Sequence, residues 1–164
     1  MRPGKSIQEK ILTTDEIVKK IAQWRVVDKK IAFTNGCFDI LHPGHIASLL
    51  EAAQHGDYLV IGLNSDASVR RLKGPERPIN SQESRALILA ALAMVDAIVL
   101  FEEDTPLELI RKIMPDVLVK GGDYTVEQIA GAKEVIANGG KVVINPIVEG
   151  FSTTNIIEKF KEKN

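Results

Sequence analysis

From residue 30 onward, short apolar runs rich in β-branched residues alternate with longer stretches in which apolar positions return every three or four residues. The first pattern fits strands covered on both faces, the second fits helices that cover them. Strands are predicted at Ile31 to Thr34, Tyr58 to Leu63, Ala97 to Phe101, Val117 to Val119 and Lys141 to Ile144. Helices are predicted near His45 to His55, Ser81 to Met94, Pro106 to Ile113, Val126 to Asn138 and Thr153 to Lys161. Their alternation predicts an α/β fold, a five-stranded parallel sheet with crossover helices on both faces. Boundary residues agree. Asn138-Gly139-Gly140 tolerates the positive φ of a helix end, Ser81 is a good N-cap, and Pro106 suits a first helical position.

The first 29 residues break this rhythm. Ile17, Val18, Ile21 and Trp24 share one face of a helix opened by Thr14, Asp15 and Glu16, which predicts a docked helical appendage over residues 1–29, covering a sheet edge or a partner subunit. The main domain is then expected over residues 30–164.

Composition narrows the partners. A chain of 164 residues, 45% of them hydrophobic, fits a single core. With 21 basic and 22 acidic side chains the net charge is -1, so no global field draws the protein to nucleic acid or anionic lipid. The longest apolar stretch, Ala86 to Val95, ends at Asp96, short of the ~20 residues that cross a bilayer. Cys37 is the only cysteine and the N-terminus lacks a signal-like apolar core, so a cytoplasmic location is expected, with no membrane or nucleic-acid partner.

The chemistry gathers where the first main strand ends. Thr34-Asn35-Gly36-Cys37-Phe38-Asp39-Ile40-Leu41-His42-Pro43-Gly44-His45 combines strand end, glycine-containing turn and helix start, and the free N-H groups of such a helix start attract phosphate. His42 and His45 stand three residues apart, with Gly44 between them leaving room for a triphosphate. Cys37 with the two histidines offers too few ligands for tetrahedral zinc. No G-x-G-x-x-G follows the strand, and Gly140-Lys141 lacks the rest of a P-loop.

These residues resemble the H-x-G-H motif of the cytidylyltransferase-like nucleotidyltransferases, and Phe151-Ser152-Thr153-Thr154-Asn155-Ile156-Ile157 resembles that superfamily's second motif. The resemblance implies a Rossmann-like three-layer sandwich. Further segments, Arg71-Leu72-Lys73-Gly74, Arg77-Pro78-Ile79-Asn80, Phe101-Glu102-Glu103-Asp104-Thr105-Pro106 and Lys120-Gly121-Gly122-Asp123-Tyr124, are similar to the heptose 1-phosphate adenylyltransferases. In many bacteria that domain is fused to a heptose kinase. No kinase segment is present, which implies a standalone form, and Pro43 stands where the fused enzymes often carry Ala.

By this resemblance ATP and a sugar 1-phosphate are the partners, with Mg²⁺ held mainly by the triphosphate and water. The acceptor phosphate is already largely dianionic at neutral pH, so alignment and charge neutralisation are the enzyme's tasks. His42, His45 and Lys73, the last placed in a loop, are the expected catalytic groups. Thr34, Gly36, Cys37, Phe38, Gly44, Arg85, Lys120, Gly121, Asp123, Ser152, Thr153 and Thr154 are expected at the nucleotide, with Arg85 as a phosphate clamp. Asp39 either orients a histidine or accepts backbone hydrogen bonds, and Asn64, Asp66 and Ser68 either meet the sugar or cap a turn. A homodimer is expected. The rival readings are a CTP-dependent cytidylyltransferase for glycerol phosphate or a related alcohol phosphate, and a noncatalytic nucleotide sensor.

Overall fold

The computed structural model describes residues 6–162, so the outermost ends of the two expected segments lie outside the described residues. Six parallel strands form one sheet: β1 Ile11–Leu12, β2 Ile31–Gly36, β3 Tyr58–Asn64, β4 Ala97–Phe101, β5 Val117–Gly121 and β6 Lys141–Asn145. Their order is β1-β4-β3-β2-β5-β6. The five predicted strands are all present, and the count of five is corrected to six by β1. That strand pairs only Ile11 and Leu12 with Ile98 and Val99 of β4, too short a run for any periodicity to register.

The helices are α1 Thr14–Val26, α2 Pro43–Ala53, α3 Asp66–Lys73, α4 Gln82–Ala90, α5 Leu107–Ile113, α6 Ala132–Ala137 and α7 Thr153–Lys161. Alternate residues of the strands feed two cores, as the period of two requires. Ile31 and Phe33 of β2 join Ile17, Ile21 and Trp24 of α1 and Ile110 and Ile113 of α5. Ala32, between them, joins Leu49 of α2 and Leu89 of α4 on the opposite face. Each fully buried aliphatic side chain contributes roughly 1.5–3 kcal/mol. The N-terminal stripe is therefore spent inside the chain: Ile17 and Ile21 are buried, Trp24 stacks on Tyr58 at 4.1 Å, and only Val18 of the four faces outward.

Two helices depart from expectation. Lys73, expected in a loop, is the last residue of α3, a helix not predicted from the sequence, whose N-cap Ser65 accepts from the Ser68 N-H. The stretch predicted as one helix from Val126 to Asn138 is a 3-10 turn, Val126–Gln128, followed by α6. The break falls at Gly131, where φ is 85° and a Cβ would lie 2.7 Å from Ile110; only glycine fits that position.

The topology positions the site. The chain passes from β2 to β3 on one side and later returns to lay β5 on the other. A crevice opens where such connections diverge, outside the carboxyl ends of β2 and β5, and ligands of open parallel sheets bind there. Among the described residues no helix is long and apolar enough to cross a membrane.

Candidate active site

The loop from β2 to α2 is held from below by Asp39. Its buried carboxylate accepts from Arg77 Nε at 2.8 Å and from the backbone N-H groups of Ile79 and Asn80, while Asn80 Nδ2 donates back to the Asp39 carbonyl. Burial alone would raise the carboxyl pKa, but the N-H groups of Asn80 and Ile79 together with Arg77 outweigh it and hold Asp39 below its ordinary value. Of the two roles expected for Asp39, backbone acceptance is the one observed, and it clamps the 77–80 segment beside the histidines. Above it Phe38 adopts φ 46°, and its ring lies where a Cβ on Gly36 would come within 3.0 Å.

His42 is the N-cap of α2 and His45 its third residue. Each backbone N-H donates to the other residue's Nδ1 at 3.4 Å, a reciprocal capping box built from two imidazoles. Acceptance at both Nδ1 atoms puts the proton of each neutral ring on Nε2, which leaves two donors for a ligand. The rings stack with centroids 3.8 Å apart, and Phe151 lies parallel to His42 at 6.0 Å. Burial, and secondarily His42, pushes His45 down to about 4, while burial also lowers His42. At neutral pH the pair therefore presents hydrogen-bond donors. A Cβ at Gly44 would stand 3.0 Å from the His42 ring and from Phe151, so this glycine permits the stack as well as the approach of a phosphate.

Cations come from elsewhere. Lys120, at the end of β5, lies 5.4 Å over the Tyr124 ring, and burial, with Lys73 contributing, lowers its pKa. Cys37 sits nearby; burial, the leading influence, raises its thiol. The start of α7 closes the site. Ser152 caps it by accepting from Asn155 N-H, and Thr153 donates to the Ile40 carbonyl, which ties this helix start to the α2 side.

Two cavities meet at the histidines. One of about 570 Å³ is lined by Lys73, Arg77, Lys120, Asn64, Asp104 and the Ser152 to Thr154 helix start, besides Gly36, Cys37 and Phe38. The other, about 470 Å³, is lined by Gly44, Gly121, Asp123 and the apolar side chains of Ile147, Val148 and Phe151. His42, His45 and Tyr124 border both.

Most residues singled out from the sequence thus converge, and four do not. Thr34 is buried in β2 and borders neither cavity. Arg85, expected as a phosphate clamp, is 1% exposed, and its guanidinium is taken up by the carbonyls of Cys37, Asn64 and Asn80 and by Asp66 at 2.7–3.0 Å. Asp66 is therefore its partner. Ser68 is fully buried, accepting from Asn64 and donating to the Glu103 carbonyl. The sequence reading missed Thr105, Gln128, Ile147 and Val148 at the cavities; their one signal was position just beyond the strands or in the turn before the last helix.

A crevice at the switch point of a parallel sheet, with stacked histidines at one helix start, a hydroxyl-rich second helix start and lysines along its lining, has the donors and cations that suit a nucleotide's phosphates. Residues 33–159 match the cytidylyltransferase-like family, and the chain belongs to it and is a nucleotidyltransferase. It is 57% identical over 152 residues to the bifunctional protein HldE of Koribacter versatilis, covering 93% of this chain and 31% of that protein. The HldE of Hyphomonas neptunium is 56% identical over 149 residues, with 91% and 31% covered. The chain thus spans about a third of the length of these relatives. Among solved structures, the lipopolysaccharide core biosynthesis protein of Thermoplasma volcanium is similar at a TM-score of 0.59 and 28% identity, over 73% of this chain and 97% of that one. The pantoate-beta-alanine ligase of Francisella tularensis shares the fold at a TM-score of 0.60 and 15% identity, over 92% and 76%.

Proposed function

We propose that the chain transfers AMP from ATP to the phosphate of D-glycero-β-D-manno-heptose 1-phosphate, giving ADP-heptose and pyrophosphate for glycan precursor synthesis in the cytoplasm. The observation that carries this reading is the meeting of two unlike cavities at His42 and His45. The apolar one suits a nucleoside, with Gly121 allowing close backbone approach and Ile147, Val148 and Phe151 offering a surface for a base. The polar one, with Lys73, Arg77 and Lys120, suits a phosphorylated polyol. The segments that resemble the heptose 1-phosphate adenylyltransferases support a heptose phosphate as the acceptor and ATP as the donor.

The acceptor phosphate needs no general base, because one of its oxygens is already an anionic nucleophile at neutral pH. That oxygen attacks the α-phosphorus, the bond to the bridging oxygen breaks, and pyrophosphate leaves with the electron pair. His42 and His45 donate from Nε2 to the non-bridging oxygens as charge builds on them, a preorganised stabilisation worth several kcal/mol. Lys73 and Lys120 hold the two phosphates together against their repulsion, and the N-H groups at the start of α7 receive the leaving phosphates. Mg²⁺ carried by the triphosphate would offset charge on the leaving group when bound. A homodimer is part of the proposal, checked by light scattering in solution.

The test is pyrophosphate release with Mg²⁺, crossing ATP, CTP and GTP against the β and α heptose 1-phosphates and glycerol 3-phosphate. Turnover with ATP and the β anomer is expected. A preference for CTP and glycerol 3-phosphate would overturn the substrate assignment and keep the phosphate chemistry.

A further inference from the structure

The cations of the polar cavity are held in different ways. Arg77 is committed to the buried carboxylate of Asp39 at 2.8 Å. Lys120 is paired with no carboxylate among the described residues, and its Nζ lies over the ring of Tyr124, 5.4 Å from the centroid. Burial works against the charge on Lys120, and Lys73 adds to that effect. A long lysine side chain also loses much of its rotamer freedom when its ammonium is brought to one place. An aromatic face offers such a place without using up a donor. It attracts the cation through its quadrupole, more strongly where water is scarce, and leaves the N-H groups for oxygen acceptors.

The ring is placed by the backbone. Tyr124 is 45% exposed, so burial alone does not fix it. Gly121 ends β5 in register with Asn145 of β6, and the Gly122 N-H donates to the Asn145 carbonyl at 3.0 Å. Asn145 is itself buried, and its Nδ2 donates to the Ser48 carbonyl of α2 at 3.3 Å. From this frame Gly122 turns the chain with φ 120°, and a Cβ there would stand 2.9 Å from the Tyr124 ring. The chain folds back so closely that the position calls for glycine. Tyr124 borders both cavities and Lys120 only the polar one, so the ring backs the ammonium on the side where the two cavities meet.

Resting on the proposed function, we infer that Tyr124 is a positioning residue: its ring seats the Lys120 ammonium in the polar cavity, beside the junction at which donor and acceptor phosphates must be brought together. The ring does no chemistry of its own. It fixes a flexible cation before the substrates arrive, so that less ordering is left for the step in which two anionic groups approach each other.

The experiment measures pyrophosphate release under saturating ATP and Mg²⁺ with heptose 1-phosphate varied, in the wild type, Tyr124→Phe, Tyr124→Leu, Lys120→Ala and the double variant Lys120→Ala with Tyr124→Leu. Circular dichroism checks that each is folded. Tyr124→Phe keeps the ring and should stay within twofold of the wild type in kcat/KM. Tyr124→Leu should lose ~10-fold, the scale of a partly desolvated cation on an aromatic face. Lys120→Ala should lose at least ~30-fold, and in its background Tyr124→Leu should cost less than ~2-fold, because the ring then has nothing to seat. A Tyr124→Leu loss of the same size with and without Lys120 would show that the ring meets the ligand itself, a loss in Tyr124→Phe equal to that in Tyr124→Leu would place the effect in the hydroxyl, and a Tyr124→Leu within twofold of the wild type would make the ring idle; each overturns the inference while the function stands. If the wild type released no pyrophosphate with heptose 1-phosphate, the function itself would fall and take the inference with it.

Discussion

Replacing Arg85 by Met separates two accounts of a residue that the motif resemblance places at the phosphates and the structure places in the core. The side chain is 1% exposed and donates to three backbone carbonyls, of Cys37, Asn64 and Asn80, and to Asp66. Met matches much of its volume and makes none of these bonds. Asp66, more than a quarter exposed, can turn to water and is left out of the sum. Three carbonyl acceptors stripped of their donor cost at least ~1 kcal/mol each. With incomplete relaxation around a broken buried pair, a loss of about 3–5 kcal/mol is expected. That is a large share of the ~5–15 kcal/mol that stabilises a typical domain. At ~2–4 °C per kcal/mol for a chain of this size, the melting temperature should fall by about 6–20 °C. Arg85→Lys, with one head group and no fork, should lose roughly half as much. Thermal and urea unfolding followed by circular dichroism measure both variants. A clamp on substrate phosphate predicts the reverse pattern, native stability with lost turnover, so an Arg85→Met protein melting within ~3 °C of the wild type would refute the core assignment.

Removing either imidazole, by His42→Ala or His45→Ala, should lower kcat by at least ~100-fold, the scale of one lost preorganised donor, and pyrophosphate release reads it directly. Gly44→Ala should fold with a stability change under ~1.5 kcal/mol yet lose ~10-fold or more in kcat/KM, because the new methyl meets the His42 ring and Phe151 at 3.0 Å; full activity would mean that the ring stack is not needed. Because His45 is pushed from its ordinary 6.5 to about 4 in the folded chain, the unfolded chain binds the proton first. Stability should then fall as pH drops from ~6.5 toward 4 and level off below, and His45→Gln should flatten that window in urea titrations at successive pH values. Asp39 has the opposite sign: its lowered carboxyl favours the folded chain above its unfolded value near 3.8, and that contribution is lost on further acidification through the folded value. Asp39→Asn should remove the step and loosen the 77–80 segment, seen as faster amide exchange at Ile79 and Asn80.

The fold was legible wherever a segment's burial is repetitive. Each of the five predicted strands lies within an observed one, because runs such as Tyr58 to Leu63 are covered on both faces and must be apolar throughout. Helix α3 escaped notice for the same reason in reverse: its buried residues are only Ser68 and Val69, and its last turn carries Arg70, Arg71 and Lys73, so no apolar stripe exists to read. The histidines, Gly44 and the Ser152 to Thr154 helix start were legible because phosphate chemistry demands particular residue types at short spacing. Thr105, Gln128 and Ile147 carry no such demand. A polyol or a base can be met by many side chains, and what recruits these is the place where their strands end.

Arg85 and Asp39 show why charge in a motif does not settle the role of a residue. Both lie in segments that accompany phosphate sites, and both spend their charge on backbone groups of the loops around the cleft. The loops after β2 and β3 and the 77–80 segment have irregular backbone, and their carbonyl and N-H groups would otherwise have no ladder to join. A buried guanidinium with fixed donors satisfies three such carbonyls at once, and a buried carboxylate satisfies two N-H groups and Arg77. The scaffold charges are thus spent on the loops, and Lys73, Arg77 and Lys120 are the lysine and arginine side chains that line the polar cavity. The stacked imidazoles stay neutral because burial disfavours the charged form of each ring, with His42 3.8 Å away adding to the effect on His45, and in the proposed reaction neutral rings fixed as Nε2 donors would engage the α-phosphate without holding it so tightly in the ground state that the barrier is not lowered.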